Sequence, residues 1–308
     1  CTPSRASRRA IDAPMPDEAP VTRALRHWFM GCECRFGCMD DSSLDRFRVQ
    51  PGTTVDLASW NPREDLGLDR DAAEKETKQL NRRLEALQEQ LHADKGHRLL
   101  VVIQATDTGG KDGTIRHVFD RVNPAGVKVA GFKKPTSTEL AHDYLRRVHQ
   151  QVPGDGEIVI FNRSHYEDVL VVRVHDLVPP TQWRRRYHHI REFERMLVEE
   201  GTTIIKLFLH ISKEEQKERL QARLDDPDKH WKFSTGDLAE RERWDDYQQA
   251  FTEAIERTST HWAPWWVIPA DRKWFRNLLV SRIIVATLED MHLRWPPPEE
   301  DLSDVVVD

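Results

Sequence analysis

The sequence predicts a doubly wound α/β fold, a parallel sheet with helices on both faces. Three observations predict it. Short apolar runs such as "RLLVVIQA", "EIVIFN" and "TTIIKLFLHI" are nearly continuous rather than alternating, as strands covered on both sides should be. Segments of helical length lie between them, so strand and helix alternate along the chain. The segments richest in reactive side chains, "TDTGGKDGT" and "RSHYED", follow directly on apolar runs, at the strand ends where open α/β sheets carry ligands.

In chain order, residues 1–45 hold all four cysteines and are rich in Pro, Ser and Arg, so they are expected to be a disordered leader. The first residue is Cys, and Met15, Met30 and Met39 are alternative native starts. Cys32, Cys34 and Cys38, in "CECRFGC", lack the paired C-x-x-C spacing of structural zinc sites. A folded domain is expected over 46–292. It opens with an extended arm, "RFRVQPGTTVDLASWNP", and one long helix from Asp69 to Asp94. Leu80, Leu84, Leu87 and Leu91 form an apolar stripe on that helix, suited to packing on the domain or on a second subunit.

Next come the strand "RLLVVIQA", a helix from Thr114, the strand "VKVAGF", a helix "ELAHDYLRRVHQQ", the strand "EIVIFN", a helix near "RRRYHHIREFERMLVEE" and the strand "TTIIKLFLHI". Ser212 and Glu215 predict a capping box opening the helix "KEEQKERLQARL", which stops near Asp226 and Pro227. A long polar helix "DLAERERWDDYQQAFTEAIERT", a last strand "WWVIPA" and a final helix "RKWFRNLLVSRIIVATLEDMHL" complete the domain, and 293–308 is expected to be a mobile tail.

The chain carries a net charge of −6, which argues against a general binder of nucleic acid or anionic membranes. No apolar run approaches the roughly 20 residues that span a bilayer, and the stretch "CTPSRASRRAIDAPMPDEAP" lacks the apolar core of a secretory signal, so a soluble cytoplasmic protein is expected. A polyanionic ligand must therefore meet a local cluster of cations.

The stretch from Val101 to Thr114 supplies the centre of such a cluster. A strand, a Gly-Lys turn and a helix together grip phosphate, because backbone N–H groups and the helix dipole face the anion. Against the pattern G-x-x-x-x-G-K-S/T, Ala105 replaces the first Gly, Gly110 and Lys111 are kept, and Asp112 replaces the hydroxyl residue. Asp107 inside such a loop suggests a Mg²⁺ ligand, a general base or both, unless it merely holds an Asx turn. At the end of "EIVIFN", Asn162 stands where nucleotide triphosphatases carry a metal-holding Asp. Arg163 is suited to a phosphate contact or to an ion pair with Glu167 or Asp168. Arg219 and Arg223, one helical turn apart, with Lys229 and Lys232 in the following turn, are what a lid over a phosphoryl group needs, or else a solvated helix face. Lys133 and Lys134 follow a strand at the same end of the sheet.

These segments, with "DRFRVQPG", "NPAGVKVAGFKKPT", "ELAHDYL" and "APWWVIPADRKWFRNL", closely resemble the polyphosphate kinase 2 family from about Arg46 to Glu289. The resemblance implies a P-loop kinase-like three-layer fold with a helical lid over about 212–245. It also implies phosphoryl transfer from inorganic polyphosphate to nucleoside mono- and diphosphates, with Mg²⁺ as cofactor and Mn²⁺ able to replace it. The form "NRSHYED" is similar to that of the subgroup accepting both AMP and ADP. Asp107, as metal ligand, Lys111 and Arg163 are the implied catalytic residues. Implied phosphate or nucleotide contacts are Gly109, Gly110, Asp112, Gly113 and Thr114 in the loop, with Lys133, Lys134, Asn162, Glu167, Arg173, Arg219, Arg223, Lys229 and Lys232. A homo-oligomer, dimer or tetramer, is expected. One departure from the family is Arg146 after "DYL", where a Trp is usual.

Overall fold

The apolar runs become five strands: β1 (Arg98–Ala105), β2 (Val127–Gly131), β3 (Ile158–Asn162), β4 (Thr202–His210) and β5 (Trp265–Pro269). Every neighbouring pair is parallel, in the order β2-β3-β1-β4-β5, so the doubly wound fold class holds. The computed structural model describes residues 44–302 with Val305 and Val307; Cys32, Cys34 and Cys38 lie outside the described residues.

Continuous apolarity serves two cores at once. Leu99, Val101 and Ile103 of β1 face a core built with α1 (Arg70–Asp94), α2 (Lys111–Val118) and α7 (Lys273–Asp290). Leu100 and Val102 face the other, built with α3 (Pro180–Glu199) and α6 (Trp244–Thr258). Completing the longer helices are α4 (Lys213–Leu224) and α5 (Gly236–Glu242).

The side chain of Asp69 accepts from Ala72 N (2.8 Å) and caps α1. Its leucine stripe is buried in the same core as Ile283, Ile284 and Leu288 of α7. Each such leucine contributes about 1.5–3 kcal/mol. Arg282 joins Glu76 through two 2.6 Å bonds along the same seam. Of the two partners the stripe allowed, the structure uses the chain's own domain.

Several expected helices are recut by local hydrogen bonds. The helix expected from Thr114 begins three residues earlier at Lys111, because Gly110, at φ 99°, turns the chain into it. "ELAHDYLRRVHQQ" is two short turns, Ser137–Leu140 and Arg146–His149. Thr136 and Glu139 form a full capping box on the first, and Asp143 accepts from Leu145 N and Arg146 N to start the second. Arg146 itself is exposed, so it adds surface charge rather than altering packing. At Ser212 only half the expected capping box forms: Ser212 Oγ accepts from Glu215 N, while the Glu215 carboxylate is taken by Arg219. The long polar helix breaks at Arg243 into α5 and α6, where Arg243 Nη1 donates to Val174 O (2.6 Å).

Behind the end of β3 lies a buried polar network. Lys206 of β4 is fully buried and donates to Glu194 Oε2 (2.7 Å), Tyr166 Oη (3.0 Å) and Thr258 O (2.7 Å). Tyr166 Oη donates to Glu194 Oε1 (2.7 Å). Burial pushes the Lys206 ammonium down, and Glu194 opposes it. This network fixes the turn that carries Arg163 and Glu167.

Candidate active site

The strand order reverses at β1, and the carboxyl ends of β1 and β3 lie side by side, with Ile103 paired to Asn162. After Ala105 the chain makes the tight turn that the sequence anticipated. Thr108 takes a left-handed φ of 61°, and Gly109 N donates to Thr106 O (3.0 Å). A Cβ at Gly109 would stand 2.5 Å from that of Ala105, so the turn admits only glycine there. Lys111 opens α2 and reaches back across the turn to Ala105 O (3.1 Å). Burial and the nearby Arg163 press its ammonium below the ordinary lysine value. Thr114 is buried, and its hydroxyl donates to Gly110 O (3.1 Å), so it secures the first turn of α2.

Arg163 sits at a left-handed φ of 65° at the end of β3, an uncommon conformation that turns its side chain toward the loop. Its Nη2 donates to Asp107 Oδ1 (3.0 Å) and its Nη1 to Glu167 Oε2 (3.4 Å). Asp168, the other partner the sequence allowed, pairs instead with Arg186 (3.1 Å). Burial raises the Glu167 carboxyl, against the pull of Arg163 and Lys111. The two departures from the nucleotide-triphosphatase pattern meet: Asn162 Nδ2 donates to Asp112 Oδ1 (2.7 Å). The carboxylate missing from the strand end thus stands on the first turn of α2, held by the amide that replaced it.

The first lid helix, α4, is tied to the loop. Gln216 Nε2 donates to Asp107 O (3.0 Å), and Arg219 Nη1 to Thr108 O (3.0 Å). Arg223 turns inward within the lid, to Asp237 (3.3 Å) and Lys232 O (3.2 Å). Lys229 pairs with Asp226 (2.5 Å), and the Lys232 ammonium lies over the exposed Trp231 ring. Lys133 and Lys134 are exposed beyond β2. Arg173 is directed elsewhere, to Glu253 (2.6 Å) and the face of Trp183. The structure therefore gathers Asp107, Lys111, Asp112, Asn162, Arg163, Glu167 and Arg219, and leaves the lysines and Arg223 on the periphery.

Two features lie beyond the sequence reading. Arg276 of α7 lies against Gly110, where a Cβ would meet its Nη1 at 2.2 Å. A cleft beside Asp107, Arg163 and Glu167 is walled by Leu170, Val171, Trp244 and Phe251, with Glu240 and Tyr247 as polar groups. Tyr247 Oη donates to Glu240 Oε2 (2.6 Å) across the break at Arg243. Spacing offers a faint signal for that pair, because residues seven apart share a helix side. Among the described residues no three acidic, His or Cys side chains converge as a metal cage. Asp107 and Asp112 nevertheless each offer a carboxylate at the loop, and a cation held by one or two carboxylates plus substrate phosphates fits that donor set.

The polyphosphate kinase 2 (PPK2) family profile matches residues 67–296. The chain belongs to the polyphosphate kinase 2 family. It is 58% identical over 267 residues to an AMP/ADP-polyphosphate phosphotransferase of Meiothermus ruber, covering 86% of this chain and 100% of that one. It is 42% identical to an ADP-polyphosphate phosphotransferase of Rhodopseudomonas palustris, over 82% and 91% of the two chains. The crystal structure of polyphosphate kinase 2 from Arthrobacter aurescens superposes with a TM-score of 0.81 at 44% identity, over 83% of this chain and 92% of that one. The P-loop kinase-like fold expected from the resemblance is thereby borne out. No helix among the described residues is long and apolar enough to cross a membrane.

Proposed function

We propose that this chain transfers a phosphoryl group from inorganic polyphosphate to AMP and to ADP. The observation that carries the reading is the Asp107–Arg163–Lys111 constellation at the reversal point of the sheet, in a chain that aligns with the whole length of a relative named for both acceptors. Phosphoryl transfer asks a protein chiefly for position and charge, and these residues supply both. The phosphate at the transfer point sits on the N–H group of Gly110 and on Lys111, while the Gly109 N–H closes the turn on Thr106 O. Arg163 and Arg219 neutralise charge on its flanks. Lys133, Lys134, Arg223, Lys229 and Lys232 guide the rest of the phosphate chain toward the closing lid, whereas Arg173 is held away from the site by Glu253.

The nucleoside of the acceptor approaches over the narrow cleft between Leu170, Val171, Trp244 and Tyr247, which widens as the lid moves and lies beside Asp107 and Arg163. Asp107 orients the attacking oxygen or takes its proton. Asp107 and Asp112 would hold Mg²⁺, or Mn²⁺ in its place, which when bound screens the charge of adjoining phosphates. We place the protein in the cytoplasm as a homo-oligomer, dimer or tetramer, whose mass light scattering would give.

The test follows nucleotide products from AMP and from ADP with Mg²⁺ and polyphosphate and no ATP. ATP should accumulate from both acceptors, and Asp107→Asn or Lys111→Ala should abolish it. Formation of products only when ATP is supplied as donor would replace this reading with an ordinary nucleotide kinase.

A further inference from the structure

On α7, Arg282 is bound through two nitrogens to Glu76, and just before it Arg272 pairs with Asp65. Arg276 of the same helix is different. It is 2% exposed, among the buried Phe275, Leu278 and Leu279. Its Nε and Nη2 donate to a neutral acceptor, Asn277 Oδ1 (3.1 and 2.8 Å). Among the described residues no carboxylate forms an ion pair with it, and its charged neighbour is another cation, Arg219. Burial and that neighbour press its guanidinium down to about 10.

Both guanidinium groups converge on one spot. A methyl group at Gly110 would lie 2.2 Å from Arg276 Nη1 and 3.3 Å from Arg219 Nη1, and one at Gly113 would lie 3.7 Å from Arg276 Nη2. Arg219 has one acid, Glu215 at its Nε (2.7 Å); its other nitrogens rest on the carbonyls of Thr108 and Ala270. A buried charge without a counter-charge is expensive, and a fold gains by replacing it with an apolar side chain unless a ligand needs it. A forked cation beside a second one, above a glycine turn, suits an oxyanion with several oxygens.

We propose that Arg276 is the fixed half of a two-arginine phosphate clamp over Gly110, with Arg219 of the lid as the other half, and that its charge is kept inside the fold for a bound phosphate chain. The clamp rests on the reading of polyphosphate as donor. It differs from the loop itself in coming from the last helix, so it holds phosphate independently of Lys111.

The test uses the full chain with sodium tripolyphosphate as probe, read by thermal melting and by initial rates. Wild type should be stabilised by tripolyphosphate. Arg276→Met should melt about 2–4 °C higher than wild type without ligand, since a buried unpaired charge is gone, and should lose the ligand-induced shift. Arg276→Lys keeps the charge without the fork and should raise the KM for tripolyphosphate about tenfold while leaving the nucleotide KM nearly unchanged. If Arg276→Met melts lower than wild type, or keeps the full ligand shift, Arg276 is structural and the clamp fails while the donor assignment stands. If Arg276→Met does not fold, an unchanged tripolyphosphate KM in Arg276→Lys overturns the clamp by itself. If wild type shows no shift with tripolyphosphate, the clamp and the donor assignment fall together.

Discussion

Asn162 and Asp112 hold each other across the mouth of the phosphate loop, and exchanging them tests whether that pairing organises the site. In Asn162→Asp, two carboxylates face each other where one 2.7 Å hydrogen bond stood. With charge centres about 4 Å apart and an effective dielectric constant of roughly 40–80, suited to the exposed Asp112, repulsion amounts to about 1–2 kcal/mol. Loss of a hydrogen bond to a charged acceptor adds about 1.5 kcal/mol. The single variant should therefore lose about 2.5–3.5 kcal/mol at neutral pH. Asp112→Asn keeps a neutral pair and should lose about 1 kcal/mol. The double exchange restores one amide and one carboxylate in reversed order and should return close to wild type. The interaction energy from the cycle is then about 3.5–4.5 kcal/mol, measurable by urea denaturation of all four proteins. Losses that simply add to within about 0.5 kcal/mol would refute the pairing.

Replacing Lys206 with Met strands the Glu194 carboxylate in the core, and denaturant melts should register a loss of about 3–5 kcal/mol, most of it recovered by adding Glu194→Gln. Gly110→Ala should impair melting temperature and polyphosphate KM far more than Gly67→Ala: both glycines have positive φ, but only at Gly110 does a new methyl meet Arg276 and Arg219. Glu167 has its folded pKa raised by burial, so the stability present below the unfolded value near 4.3 is lost as pH rises through the folded value. Glu167→Gln should accordingly melt above wild type at pH 7 and match it near pH 4; the reverse order would show that Arg163 and Lys111 outweigh burial.

The strands were legible because burial on both faces leaves an unbroken apolar run. β1 begins and ends where "RLLVVIQA" does, and β4 matches its run to within one residue. Helix ends were less so. Thr136, Asp143 and Arg243 redirect the backbone through bonds to neighbouring or distant groups, and a polar periodicity passes over such breaks without a mark. In the site, Asp107, Lys111 and Arg163 could be read because each lies within a few residues of a strand end. Arg276 and the Glu240–Tyr247 pair could not, since their placement depends on how α6 and α7 rotate against the sheet. An arginine inside the strongly apolar "WFRNLLV" was the available signal, and a helix buried nearly all round offers no polar face from which to say where it points.

The arm that precedes α1 joins β5 in an antiparallel sense: Val49 N donates to Trp265 O and Val267 N to Phe47 O, both at 2.8 Å, and Phe47 meets the Phe275 ring edge-on. Ser259 Oγ adds a bond to Val49 O (2.7 Å). The earliest described residues therefore depend on the last strand and last helix. During synthesis, β1 to β4 can associate while the arm has nothing to join, and its apolar side chains stay uncovered until the chain beyond Phe275 has emerged. Arm docking is thus a closing step of folding: a chain halted before β5 carries an open sheet edge at β4 together with the free strand that would otherwise have completed the fold.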